Sequence, residues 1–273
     1  MNIDTLDPRA EIAENETALK EVSQDLAELE IAPENLHPEF LKRLSLLAAQ
    51  SEFYKHSQRM SLGLKNVLEN FDSEPQTIRN TRFAAIIHDI GKTGPADAPA
   101  EAQKAFLNLY NNPTNNGSLK VGEIENSPQE LEQYGAQPEM TMKDFWNSHS
   151  IWTFDNLTAY PEGINAETKV LAASHHADKK EPISNPYLMD AKEFPFALKA
   201  LIAMDKTEAA YTRRNLPLPE AIASAKDIVG KNPELKDDLE FNKIFAAMNG
   251  LAKRGNFLIS ELPAEKEMEQ RAA

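Results

Sequence analysis

The sequence predicts an all-α fold. It contains only ten glycines among 273 residues and is rich in alanine, leucine, glutamate and lysine, which favour helices over strands. Apolar residues recur at helical spacing in several long segments, and no segment alternates apolar and polar residues as a half-buried strand does. We therefore expect a helical bundle, and a chain of this length can bury one substantial core.

The N-terminal part is expected to be helical throughout. Residues 10–31 carry apolar residues near helical spacing on an otherwise charged surface, and Ala32-Pro33 ends this segment. A second helical stretch starts around His37-Pro38 and continues through NVLENF, as one helix or two. Residues 77–90 form a shorter and more buried helix, which Gly91 is suited to end.

Residues 94–140 differ in composition from the rest of the chain, because they are rich in proline, asparagine, glycine and serine. They contain one short helix candidate, at residues 100–110, and are expected to be a loop-rich insertion that covers a site or binds a partner. Helices are expected again in MTMKDFWNSHSIWTFDNLTAY, ETKVLAASHH, FALKALIAMD and LPLPEAI, the last with Pro219 near its start. The chain thus divides into an N-terminal helical extension (1–48), a main domain (49–250) and a charged C-terminal tail (251–273).

Composition and charge exclude several classes of protein. The formal net charge of -14 repels nucleic-acid backbones, so non-specific nucleic-acid binding is not expected. No cysteine is present, which excludes disulfides, iron–sulfur clusters and thiolate zinc sites and suits a reducing cytoplasm. The first residues lack the features of a secretion signal, and no apolar stretch approaches the roughly 20 residues of a membrane span. We expect a cytoplasmic protein that does not bind membranes.

The residues that carry chemistry are a few histidines and carboxylates at helix ends. His88-Asp89 follow an apolar run, His175-His176 follow another, and Asp205 follows ALIAM. Each such residue alone is more often structural than functional, but an acidic side chain beside a buried run needs a partner. Imidazoles and carboxylates brought together without sulfur suit iron or manganese. We therefore expect a divalent metal site.

The order of these residues resembles that of the HD-domain superfamily of metal-dependent phosphohydrolases, and within it the HD-GYP branch that hydrolyses cyclic dinucleotides. The resemblance covers about residues 50–225 and implies an all-α bundle, here an HD/HD-GYP-like domain, with the site at its centre. The segment AMDKTEAAYTRR resembles the family's aspartate helix. The metal ligands implied by the resemblance are His56, His88, Asp89, His149, His175, His176 and Asp205, with Glu52 as the carboxylate that recruits a third metal in some members.

Two features of this chain depart from the family pattern. The Gly-Tyr-Pro element is replaced by ADKKEPISNPY after His175-His176, so the preference for a particular base is expected to shift or weaken. The separation of His88 from His149 is long because of the 94–140 insertion. Asp89 is expected to bridge two catalytic metals, and Lys92 to place a cation on a phosphate oxygen. Arg213 or Arg214 is expected to bind a second phosphate, although each cation is alternatively a solvated surface group.

The expected function is a metal-dependent phosphohydrolase, a phosphodiesterase that hydrolyses a cyclic dinucleotide or related nucleotide in signalling. Two or three iron or manganese ions per chain are the expected cofactors. A mixed-valent di-iron oxygenase of the same superfamily is one alternative, and a catalytically degenerate nucleotide-binding scaffold is another. The expected partners are the small phosphorylated substrate and, as an option, a second copy of the chain in a homodimer.

Overall fold

The computed structural model describes residues 8–112, 116–125, 127–179, 193–255 and 257. These residues form ten α-helices and no strand, which confirms the predicted all-α class. In chain order the helices are α1 (Pro8–Glu28), α2 (Pro38–Ala49), α3 (Ser51–Glu69), α4 (Pro75–Ile87), α5 (Ala100–Tyr110), α6 (Met142–Ala159), α7 (Ala166–Ala173), α8 (Phe196–Arg213), α9 (Leu218–Val229) and α10 (Leu239–Lys253).

The helix ends follow local sequence chemistry. Helices α2, α4 and α9 have a proline in their first two positions, where the missing N–H donor costs nothing. Three other helices begin with a side chain that accepts a hydrogen bond from a free backbone N–H of the first turn. These N-cap residues are Thr141 for α6, Asn165 for α7 and Asp238 for α10.

One main hydrophobic core joins the N-terminal helices to the rest of the bundle. Val22 of α1 and Leu44 of α2 are fully buried in the same cluster as Leu64 of α3, Ile202 of α8 and Met248 of α10. The predicted N-terminal extension therefore shares its core with the main domain. Helix α10, which the sequence analysis did not single out, adds to the same core.

The 94–140 insertion contains the helix that was expected near residues 100–110, as α5. The segment also builds a second hydrophobic core against α6, which the sequence analysis did not predict. Phe106 of α5 packs against Phe145 and Trp152 of α6, and Val121 and Leu131 complete the cluster. Apolar side chains spaced along the segment supply this core despite its turn-rich composition.

Several expectations fall on residues outside the described ranges. Most of the ADKKEPISNPY segment and of the C-terminal tail belongs to them. Among the described helices, none is long and apolar enough to span a bilayer.

Candidate metal centre

Five elements deliver seven histidine and aspartate side chains to one place in the bundle. His56 comes from α3 and Asp205 from α8, and the others lie on α6 or just after α4 and α7. The cluster takes in five of the chain's six histidines. Six of its members are buried, whereas the side chain of His176 is 13% exposed. The members are His56, His88, Asp89, His149, His175, His176 and Asp205.

A close approach between α6 and the turn after α4 sets the position of His149. Helix α4 ends at Ile87, and a 3₁₀ turn follows at Ile90–Thr93. Gly91 of this turn lies against α6 so tightly that a Cβ atom there would be 2.0 Å from the carbonyl oxygen of His149. Thr153 donates to the carbonyl of His88 over 2.7 Å and accepts from Gly91 N–H over 3.1 Å. The aspartate between His88 and the turn therefore lies beside His149.

Arg43 of α2 fixes the chain that follows this turn, and sequence reasoning missed it. Its guanidinium is fully buried and donates to the carbonyl oxygens of Pro95, Ala96 and Ala98 over 3.0, 2.8 and 2.8 Å. It also donates to the hydroxyl of Thr93 over 3.2 Å. A basic residue inside the apolar stretch FLKRLSLLAA was the available signal.

The ligand atoms form three groups that could hold a metal ion, each with its atoms within 4.8 Å of one another. One group combines His56, His88 and Asp205, and another combines the three histidines His149, His175 and His176. The third, made by His88, Asp89 and His175, connects them.

The carboxylate of Asp89 lies between the two histidine groups. Its Oδ1 is 3.3 Å from Nε2 of His149, and its Oδ2 is 3.4 Å from Nε2 of His88. Each oxygen thus faces a different imidazole. A carboxylate in this position can bind one metal ion with each oxygen.

Hydrogen bonds to the backbone orient three of the imidazoles. In His88, His149 and His175, Nδ1 contacts the carbonyl oxygen three residues earlier, at 2.8 Å for His88 and 2.7 Å for His175. A carbonyl only accepts, so Nδ1 carries the proton and Nε2 keeps a lone pair. Nε2 of His149 and Nε2 of His175 are 3.0 Å apart. Two lone pairs at this separation repel each other unless a cation lies between them, so the pair fits a metal ion.

His56 is oriented by a buried carboxylate that the sequence analysis did not identify. Glu208 of α8 is fully buried and bonds to Nδ1 of His56 and to Arg59. Burial would lower the pKa of His56, but the charge of Glu208 raises it. Nε2 of His56 is buried without a hydrogen-bond partner among the described residues and lies 3.3 Å from Asp205 Oδ1. A glutamate three residues after Asp205 on an apolar helix face was the signal for this partner.

Electrostatics keep three buried histidines and both aspartates of the cluster in the protonation state that binds metals. Burial lowers the pKa of His149 to about 3 and lowers the pKa values of His88 and His175. Burial acts to raise the pKa of Asp89 and Asp205, but the surrounding histidines and lysines hold both below the usual range. Near neutral pH these imidazoles are neutral and the carboxylates ionised, as metal ligation requires.

Two buried lysines contact the aspartates directly. The ammonium group of Lys92 bonds to Asp89 Oδ2 and lies 4.3 Å from the ring centroid of Phe53. The ammonium group of Lys206 is 2.8 Å from Asp205 Oδ2. Burial acts to lower the pKa of Lys206, but Asp178 and Asp205 raise it, so this lysine stays charged. Sequence reasoning found Lys92 from its motif and missed Lys206.

The three remaining predicted site residues differ in their relation to the cluster. Glu52 is exposed and belongs to none of the three metal-ligand groups, so the structure does not bring it into the cluster. Arg214 is exposed and donates to Ser224 on α9 over 2.6 Å, away from the cluster. Arg213 is also exposed, but its charge opposes the rise in the pKa of His56 and adds to the effect of burial, which lowers the pKa of Lys92, so Arg213 acts on the centre.

A cavity of about 530 Å³ lies between α3 and α10, and Asn66, Glu69 and Phe257 are among its lining residues. None of the seven cluster residues lines it. Within the cluster the partly exposed side chain is that of His176, which marks the solvent side of the centre. Comparisons with known protein families, with characterised proteins and with solved structures find no match for this chain.

Proposed function

We propose that this protein is a metal-dependent phosphohydrolase with a binuclear centre, and that its substrate is a phosphodiester of the cyclic-dinucleotide or a related nucleotide class. The observation that carries the proposal is the carboxylate of Asp89 between two histidine groups, with one oxygen facing His88 and the other facing His149. The metals would be held by His56, His88, Asp89, His149, His175 and Asp205.

Three properties of the donor set support two metal ions. Nε2 of His56 has no hydrogen-bond partner among the described residues, Nε2 of His149 faces Nε2 of His175, and the two aspartates are ionised. The ligands are nitrogen and oxygen without sulfur, which suits iron or manganese. Glu52 lies outside the cluster, so the proposal includes no third metal. Metal ions bound there would supply an activated water molecule and stabilise charge on the attacked phosphoryl group.

The protein's own groups would orient the ligands and attract the substrate. Glu208 holds the imidazole of His56 through Nδ1 and is itself held by Arg59, an arrangement that fixes the direction of the ligating nitrogen. Lys92 holds Asp89, and both are buried, so neither side chain is free to rotate into solvent. Arg213, at the exposed end of α8, supplies a cation that a phosphate can approach.

An anionic substrate is supported by the charge around the centre. The chain has a formal net charge of -14, yet several cations act on the cluster. Burial is the main cause of the lowered pKa of His149, and the charges of Lys92 and Lys179 lower it further. Cations beside the centre of an acidic protein favour a small anion over a nucleic-acid polymer.

The first experiment measures metal content. Protein produced with iron or manganese supplied is expected to hold two metal ions per chain by elemental analysis. His149→Ala should lose most of this metal, whereas His37→Ala should retain it. His37 is the histidine outside the cluster, where it caps α2 and stacks on Tyr160. Metal-free wild-type protein, or equal metal loss in both variants, would contradict the proposal and favour a scaffold.

The second experiment measures turnover on cyclic dinucleotides, linear dinucleotides and a chromogenic phosphodiester. Phosphodiester cleavage that depends on added iron or manganese is expected, and Arg213→Ala should raise KM or lower kcat with metal content unchanged. Asp205→Ala should lose both metal and activity. Oxygen consumption with a small organic substrate, in the absence of phosphodiester cleavage, would assign the centre to an oxygenase.

A further inference from the structure

The ammonium group of Lys206 lies between three partners at the edge of the metal centre. Its Nζ is 2.8 Å from Asp205 Oδ2, 2.9 Å from His176 Nδ1 and 3.4 Å from Asp178 Oδ1. Lys206 and Asp178 are both buried, and Asn232, three residues after the end of α9, donates to the carbonyl of Asp178 over 3.2 Å. Paired with two carboxylates, Lys206 is a charged ammonium that can only donate.

The contact with Lys206 determines which nitrogen of His176 carries the proton. Because Lys206 donates to Nδ1, that nitrogen must keep its lone pair. Asp205 Oδ2 does not compete for a proton on Nδ1, because the two atoms are 3.8 Å apart. A neutral imidazole that accepts at Nδ1 carries its hydrogen on Nε2. His176 is therefore protonated on the opposite nitrogen from His149 and His175.

The neighbour on the other side of the ring agrees with this assignment. Nε2 of His176 is 3.2 Å from Nε2 of His149. The Nδ1–H of His149 is committed to the carbonyl of Trp146, so Nε2 of His149 accepts and His176 donates. The hydrogen bonds run in one direction, from Lys206 to His176 to His149.

We propose that Lys206 is a positioning residue that holds His176 in the Nε2–H tautomer, so that His176 presents a hydrogen-bond donor to substrate instead of a lone pair to a metal. This inference rests on the proposed metal centre. A histidine ligates through a lone pair, and the Nε2 lone pair of His176 is taken by hydrogen. With a metal ion held by His149, the His176 N–H would lose its acceptor and would be free to donate to another group. The acceptor that fits there is an anionic phosphoryl oxygen.

Nuclear magnetic resonance tests the tautomers directly. Full-length, metal-free protein with nitrogen-15 in its histidines is recorded by long-range proton–nitrogen correlation. His176 is expected as the Nε2–H form and His88, His149 and His175 as Nδ1–H forms. The Nδ1–H form at His176 would overturn the inference, whatever the metal content. If the tautomers are as expected but the separate elemental analysis finds no bound metal, the proposed function is rejected and the assignment of His176 stands.

Two lysine variants test the cause. Lys206→Met removes the donor to Nδ1 and is expected to move His176 to the Nδ1–H tautomer, whereas Lys179→Met is the matched control. The ammonium group of Lys179 donates to Asn147 over 2.6 Å, whereas the donor to the His176 ring is Lys206, so replacement of the Lys179 side chain should leave the tautomer unchanged. Retention of the Nε2–H form in Lys206→Met would overturn the role of Lys206. If that variant does not fold, the wild-type spectrum decides the tautomer by itself.

Two adjacent histidines test the consequence for metal binding. Glutamine keeps an N–H donor but is a poor ligand for these metals, so His176→Gln should retain metal affinity within about twofold. His175→Gln should reduce the metal affinity about tenfold or more, because His175 offers a lone pair to the centre. Equal losses in the two variants would show that His176 ligates. The kcat of His176→Ala should fall below that of His176→Gln while the metal content of the two remains equal.

Discussion

Replacing Gly91 with alanine perturbs the contact that places His149 beside Asp89. The added Cβ would be 2.0 Å from the carbonyl oxygen of His149 and 2.4 Å from the backbone nitrogen of Thr153. Both atoms belong to the backbone of α6, so no side-chain rotation relieves the clash. Contacts of a Cβ atom shorter than 3.0 Å essentially do not occur, so α6 must recede by about 1 Å.

The magnitude follows from overpacking at a rigid contact. Forcing extra atoms into a packed site costs about 1–3 kcal/mol, and a backbone contact places Gly91→Ala at the upper end. The same displacement moves Nε2 of His149 relative to Nε2 of His175, which are 3.0 Å apart in the native protein. Urea unfolding of the metal-free protein should therefore show a loss of about 3 kcal/mol. A metal titration should show an affinity reduced by about 10- to 100-fold.

The matched control is Gly250→Ala in α10. A Cβ atom there meets only the Arg254 guanidinium at 3.7 Å, an ordinary contact, and alanine is the better helix former. Gly250→Ala should thus raise the free energy of unfolding by up to about 1 kcal/mol and leave metal affinity unchanged. Wild-type stability and metal affinity in Gly91→Ala would refute the argument that this close approach positions His149.

Three further predictions concern the scaffold. Phe106→Ala should destabilise the protein by about 3–5 kcal/mol in urea unfolding, because the ring is fully buried in the second core; a loss below about 1 kcal/mol would mean that the insertion does not contribute to the fold. Arg43→Met should cost about 2–3 kcal/mol by the same assay, because it removes the hydrogen bonds that a charged, fully buried guanidinium donates to three carbonyl oxygens, and wild-type stability would contradict this. The metal-free protein should lose stability as the pH falls from about 7.5 to about 5. The unfolded chain takes up a proton at His149 below its ordinary pKa of 6.5, whereas the folded chain does so only near about 3. His149 alone lowers the free energy of unfolding by about 2 kcal/mol at pH 5. A free energy of unfolding that does not change over this pH range would contradict the burial of His149 as a neutral ring.

The sequence carried enough information for the fold class and for most helices. Periodic apolar residues and helix-starting prolines located α1 to α4, α6, α8 and α9, because these signals act within one or two turns of the chain. The second core was not predicted. Its members, such as Phe106 and Val121, are spread among turn-forming residues, and no local period reveals that they meet.

The residue types of the cluster could be identified from sequence, but their partners could not. Glu52 shares a helix face with His56, and the family resemblance made it the candidate carboxylate for a third metal. In the folded chain Glu52 is exposed, and Glu208 from α8 bonds to His56 instead. Spacing along one helix cannot distinguish these two outcomes, because packing between helices decides which face is buried.

The sequence by itself determined which histidines and aspartates accompany apolar helical segments, and hence the donor atoms available to a metal. Only the tertiary structure decided the direction in which each imidazole faces. Backbone carbonyls leave the Nε2 lone pairs of His149 and His175 free, whereas Lys206 binds Nδ1 of His176 and reverses its tautomer. The physical reason is that a tautomer depends on the nearest donor or acceptor, and for His176 that group is 30 residues away in the chain.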